Sequence, residues 1–177
     1  MNRFKFFKIF CFVLSIAAVL YYPVQKIIRY EYRPSRVFEF KITGYDPYDP
    51  ARGHFLALTV HPTQANVKKD GNYAVLGPGK DGYAEVVDII GKPDGRPCVK
   101  LKFKSYNGTL RYNFDRFYIN EKLARKADSI FRMAVNAKKR CVLVVRAYED
   151  GASAVTDLLV DGKSIRTLAA ECGVKKK

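Results

Sequence analysis

Asp46, Asp49, Arg52 and His54 fall within GYDPYDPARGHFLALTV, Gly44 to Val60, just ahead of an apolar run. Two carboxylates, a guanidinium and an imidazole could form the charged half of a hydrolytic active site, trading protons and holding an anion. The same residues also build a turn. Pro47 and Pro50 each fix φ and disfavour helix in the aspartate before them, and an Asp side chain can cap nearby backbone N–H groups. Gly53 permits an unusual backbone angle where the strand begins. Arg52 could brace such a turn through Asp46 or Asp49, or through Asp115 or Glu121 further along. No nucleophile stands beside these residues, so the constellation is incomplete and a structural turn is the favoured reading. Phe55 and Leu58 have opposite parity, which makes the following strand apolar on both faces or bulged, and central in its sheet.

A second candidate is the row Lys100, Lys102 and Lys104 in CVKLKFKSY, which alternates with Val99, Leu101 and Phe103. Strand geometry puts the three lysines on one face at ~7 Å spacing, where they could contact an anionic partner or simply solubilise a half-buried strand. Ser35, soon after the apolar N-terminus, could serve as the nucleophile of a signal-peptidase-like serine enzyme. It lacks the following methionine, the lysine box and the downstream G-D-N motif of those enzymes. With only His54 and His61 in the chain, and with Cys11, Cys98, Cys141 and Cys172 scattered, no metal site and no cofactor are expected. A Cys98–Cys141 bridge is compatible with an oxidising compartment, and spacing does not decide it. The NGT at 107–109 is a glycosylation sequon that carries meaning only in a eukaryotic secretory pathway.

These residues need elements to position them, and the elements read as β. Asp-Gly at 70–71, 81–82, 94–95, 150–151 and 161–162, with Asn-Gly at 107–108, punctuates short strand-like runs. The runs are VFEFKI, FLALTV, YAEVVDII, CVKLKFKSY, LRYNFDRFYI, CVLVVRAYE and SAVTDLLV. One segment, NEKLARKADSIFRMAVNAKKR, instead places Leu123, Ala127, Ile130 and Ala134 on a helical face, with Asn120 as N-cap. The expectation is a mainly β (α+β) fold: a small barrel- or sandwich-like antiparallel domain with one packed helix.

Ahead of it, Arg3, Lys5 and Lys8 precede an uncharged run from Ile9 to Val24, closed by Tyr21 and Tyr22 and extendable through Lys26 to Ile28. We expect an uncleaved, single-pass transmembrane anchor. The expected layout is a basic segment (1–8), the anchor (9–28), a stalk (29–37), a β-rich domain (38–170) and a basic tail (171–177). Lys26, Arg29, Arg33 and Arg36 balance the N-terminal cations, so charge alone does not orient the span. The net charge of +15 is dispersed along the chain rather than concentrated on one arm. That pattern does not suggest nucleic-acid binding. With 48% hydrophobic residues, wholesale disorder is excluded.

DPYDPARGHFLALTV resembles the signature of the GDYXXLXY family, in which a D-P-x-D-x-x-R-G turn leads into a strand reading G-D-Y-x-x-L-x-Y. Asp46, Pro47, Asp49, Arg52, Gly53 and Leu58 match it. His54 stands where the family has Asp, Phe55 replaces Tyr, and Val60 replaces the last Tyr. RYNFDRFYINEK is similar to the family segment Y-G-I-E-R-F-Y-V-x-E, keeping Tyr112, Arg116, Phe117, Tyr118 and Glu121, with Asp115 for Glu. LLVDGKSI resembles its closing L-x-V-D-G-x-x-I hairpin. The resemblance implies a membrane-anchored bacterial protein with its domain outside the cytoplasm, and members of the family are often encoded beside multi-spanning membrane proteins, which hints at a partner. It brings no catalytic mechanism and identifies no small-molecule substrate. The expected role is therefore an accessory or binding domain, with a membrane-tethered hydrolase using Ser35 or the Asp49–His54 group as the alternative.

Overall fold

A computed structural model describes residues 3–31, 33–46, 55–67 and 69–174. It divides into two compact units, Met1–Pro34 and Ser35–Lys177. The first is a single helix, α1 (Arg3–Glu31), with Pro23 inside it. Phe10, Phe12, Val13, Leu14, Ile16, Val19 and Leu20 are exposed around its circumference. The transmembrane span expected at 9–28 is not shown by this helix. No helix among the described residues is long and apolar enough to cross a membrane. The reason lies in the run itself, which is short and diluted by Ser15, Tyr21, Tyr22, Pro23 and Gln25. Ser15 donates to the Cys11 carbonyl at 2.8 Å, as a hydroxyl does inside a helix.

The second unit is β-rich, as expected. Its strands are β1 (Ser35–Asp46), β2 (Phe55–Val60), β3 (Gly71–Pro78), β4 (Ala84–Ile90), β5 (Cys98–Ser105), β6 (Arg116–Tyr118), β7 (Cys141–Tyr148), β8 (Ser153–Val160) and β9 (Lys163–Ser164). All pair antiparallel in the order β4-β3-β5-β7-β1-β2-β6, with β8 branching from β7 and β9 closing a hairpin on β8. The sheet curls until β6 lies against β8 and β4 against β1, giving a half-barrel. Two helices accompany it, α2 (Glu121–Asn136) and α3 (Ile165–Val174).

Alternation explains most of these elements. Phe38, Phe40 and Ile42 of β1 and Leu56, Leu58 and Val60 of β2 point into one core. β7 has neighbours on both sides and reads as a nearly continuous apolar run, with Leu143, Val145 and Ala147 fully buried. α2 turns Ala124, Ala127, Phe131 and Ala134 onto the core. Asn120 caps it as expected, its side chain accepting from the Lys122 amide at 3.0 Å.

Three elements depart from the expected list. β3 reads as punctuation in the sequence, yet it lies between β4 and β5. Gly71 is there for close packing: a Cβ would come within 2.6 Å of the Ile90 carbonyl oxygen. The run LRYNFDRFYI contributes only β6 as a regular strand, with Tyr112 making an isolated bridge to Leu101. Its alternation breaks, since Leu110, Tyr112 and Phe114 are buried at even positions and Phe117 at an odd one. The third is α3, where the chain continues past the expected final hairpin. That hairpin does form, with Asp161 at φ 49° and Gly162 at φ 79°, the left-handed pair such a turn requires.

Candidate functional site

The first block of interest ends and begins two paired strands. Asp46 closes β1 opposite Ala57, and Tyr45 lies opposite Leu58. Pro47, Asp49, Arg52, Gly53 and His54 lie outside the described residues. Leu58 is buried in the main core, and its amide donates to the Asp115 carbonyl at 2.8 Å. Phe55 is buried elsewhere, with its ring 5.9 Å from that of Tyr118 and the Arg116 guanidinium 4.8 Å above it. So β2 is apolar on both faces at its start, and it lies between β1 and β6.

The second block divides between core and surface. Tyr112 is buried, stacked on Phe114 at 4.9 Å and edge-on to Phe40 at 5.5 Å. Burial pushes its phenol well above the usual range, and its hydroxyl has no hydrogen-bond partner among the described residues. Phe117 is also buried, whereas Tyr118 is 62% exposed. Glu121 opens α2, where a carboxylate complements the helix dipole.

Asp115 and Arg116 face a cleft of about 600 Å³. Lys102 from β5, residues 113–118, Ser153 and Val155 from β8 and Arg166 from α3 line it. Lys102 Nζ lies 3.1 Å from one Asp115 carboxylate oxygen and Arg116 Nε 4.0 Å from the other. Arg166 stacks over the Phe117 ring at 4.8 Å and donates to the Thr156 carbonyl at 3.0 Å. Its second neighbour is the Asp157 carboxylate at 4.0 Å. Two guanidinium groups thus each rest over an aromatic ring, a cation–π contact that helps hold them in place. Chemically this is a partly neutralised cation cluster beside Phe114, Tyr118 and Val155, suited to an anion with an apolar neighbour.

The three lysines of the expected row differ in their surroundings. Lys100, Lys102 and Lys104 are all exposed, and only Lys102 lines the cleft. Lys104 lies over the Tyr106 ring at 5.6 Å. Phe103, expected inside, is 66% exposed, because β5 has lost its regular strand partners there. Arg166 was not foreseen. Ile165, Leu168 and Ala169 at helical spacing were the signal for α3, and it lay beyond the hairpin motif.

The other nucleophile and ligand candidates are not assembled into a site. Ser35 is the first residue of β1, opposite Tyr148, and no lysine or histidine hydrogen-bonds to it among the described residues. All four cysteines are free. Cys98 lies opposite Tyr148 at one end of β7 and Cys141 is at the other end, about 23 Å away at strand rise, far beyond disulfide reach. Burial pushes the Cys98 thiol up to about 11 and raises that of Cys141, which makes both poor nucleophiles. No group of His, Cys, Asp and Glu that could hold a metal occurs among the described residues. His61 lines a separate cleft with Lys41, Asp81 and Glu85.

A family model described as GDYXXLXY protein matches residues 16–158. No curated protein and no solved structure matches the chain.

Proposed function

Because this chain belongs to the GDYXXLXY family, we propose that it is a membrane-anchored accessory or binding domain of the bacterial envelope. In this reading α1 is held in the cell membrane, and the half-barrel lies outside the cytoplasm, where it acts with a multi-spanning membrane protein. The observation that carries the binding role is the cleft, where Lys102 and Arg116 flank the exposed Asp115 carboxylate and Arg166, beside Asp157, lines the same wall. Such a cluster on a sheet recognises a partner more readily than it performs chemistry, since its one hydroxyl, Ser153, hydrogen-bonds to no base among the described residues. The anchor reading draws on the apolar residues exposed around α1, which gain most from a lipid environment.

Gentle extraction of the full chain from native membranes, followed by affinity purification and mass spectrometry, tests the proposal. A stoichiometric multi-spanning protein is the expected result. Recovery of the chain alone, in detergents that preserve other membrane complexes, would overturn it.

A further inference from the structure

Building on the partner-binding reading, we propose that the cleft takes an acidic peptide segment of the partner. Its carboxylate displaces Asp115 from Lys102 and Arg116, while an adjacent apolar side chain lies against Tyr118 and Val155. Asp115 is then an internal stand-in, occupying the ligand's place in the free protein.

Four observations support this. First, the cleft already holds a carboxylate, with Lys102 at 3.1 Å and Arg116 at 4.0 Å. The longer distance is beyond hydrogen-bonding range, so Arg116 keeps its donors for another acceptor. Second, the Lys102 and Asp115 side chains are 44% and 40% exposed. An ion pair so wet is worth at most ~1 kcal/mol, so a better-placed carboxylate can replace it. Third, Arg116 and Arg166 are each held 4.8 Å over an aromatic ring, Phe55 and Phe117, which reduces the entropy lost when they engage a carboxylate. Fourth, the cleft is large enough for a few residues of extended chain and offers Phe114, Tyr118 and Val155 next to the cations. A bare inorganic anion would leave that apolar wall unused.

The test titrates the full chain, in uncharged detergent micelles at constant ionic strength, with an acetylated peptide amide of alternating glutamate and phenylalanine. A glutamine-for-glutamate peptide and inorganic pyrophosphate are titrated in parallel, and phosphatidylglycerol vesicles are titrated against the chain held in neutral-lipid nanodiscs. The expected result is saturable one-to-one binding of the acidic peptide, about tenfold tighter than the glutamine peptide and tighter than pyrophosphate or vesicles. Lys102→Ala and Arg166→Ala should each weaken it about fivefold, and Lys126→Ala, on the exposed face of α2, should leave it unchanged. Asp115→Asn should tighten it about threefold, a gain that misfolding cannot produce.

Absence of saturable binding, preference for pyrophosphate or vesicles, or unchanged or weaker binding by Asp115→Asn would overturn the proposal. The two readings fail separately. Partner recovery that is indifferent to Lys102→Ala and Arg166→Ala overturns the cleft as docking site and leaves the accessory role standing. Peptide binding without any co-purifying partner does the reverse.

Discussion

Lys102 and Asp115 meet at 3.1 Å across the mouth of the cleft, joining β5 to the segment that leads into β6. The contact lies beside a backbone bond, from the Lys102 amide to the Arg111 carbonyl at 2.6 Å, that already holds the two segments together. The ion pair is therefore more important to the cleft's charge than to the fold. Lys102→Ala should change the unfolding free energy by less than about 1 kcal/mol, and the small loss should vanish in high salt. Thermal denaturation at low and high ionic strength measures both.

Tyr112 separates a packing role from a chemical one. Its ring contributes to the Phe40–Phe114 cluster, while its buried hydroxyl lacks a partner among the described residues. Tyr112→Phe should leave stability unchanged or raise it by up to about 1 kcal/mol, because an unsatisfied hydroxyl costs free energy when buried. Tyr112→Ala should lose about 3–5 kcal/mol through the cavity it leaves. Denaturant unfolding of both variants distinguishes a core residue from a functional phenol.

Acid should loosen the outer edge of the sheet. Hydrogen bonds from Lys69 and Arg96 hold the Asp88 carboxyl below the usual carboxylate range, and Arg96 does the same for Asp94. Because both are depressed on folding, their stabilisation is complete above the unfolded value near ~4 and is lost as pH falls through the folded values. Asp88→Asn should flatten the loss of stability below about pH 4 and leave the steepness at neutral pH unchanged. Melting temperatures between pH 2 and 7 test this.

Thiol reactivity reports on both units. Cys98 and Cys141 are buried, which raises their thiol pKa and suppresses the thiolate, and Cys172 is exposed. In the folded chain Cys172 should react with an aqueous maleimide at least about tenfold faster than the buried pair. Cys11 is exposed on α1. Under the membrane-anchored reading it should be protected in lipid vesicles and become reactive once the lipid is removed and the chain is unfolded in denaturant. Mass spectrometry of labelled peptides gives all four rates.

The N-cap offers a direct check of α2. Asn120→Ala should cost about 1 kcal/mol, since the Lys122 amide then loses its acceptor. Substituting aspartate should preserve the stability. Chemical denaturation gives the difference.

Sequence alone determined what local physics controls. Alternation in VFEFKI, FLALTV and CVLVVRAYE specified strands because each buries one or both faces, and Asn-Gly and Asp-Gly specified tight turns because they tolerate positive φ. Helical spacing and Asn120 specified α2 in the same way. The family segments were legible as residue patterns, and so was the lysine row on one face of β5.

Tertiary structure decided the rest. β3 was hidden because its two glycines and proline read as turn residues, and only the neighbouring β4 and β5 supply the pairing that outweighs those preferences. Phe103 is exposed where the register of β5 against β3 shifts between Lys100 and Ser105, which alternation cannot reveal. Most of all, the cleft exists because curling of the sheet brings Lys102, Asp115, Arg116 and Arg166 together from β5, the β6 approach and α3. Periodicity assigns a side chain to a face of its own element. Which distant elements share that face depends on burial summed over the whole half-barrel, and no local stretch encodes it.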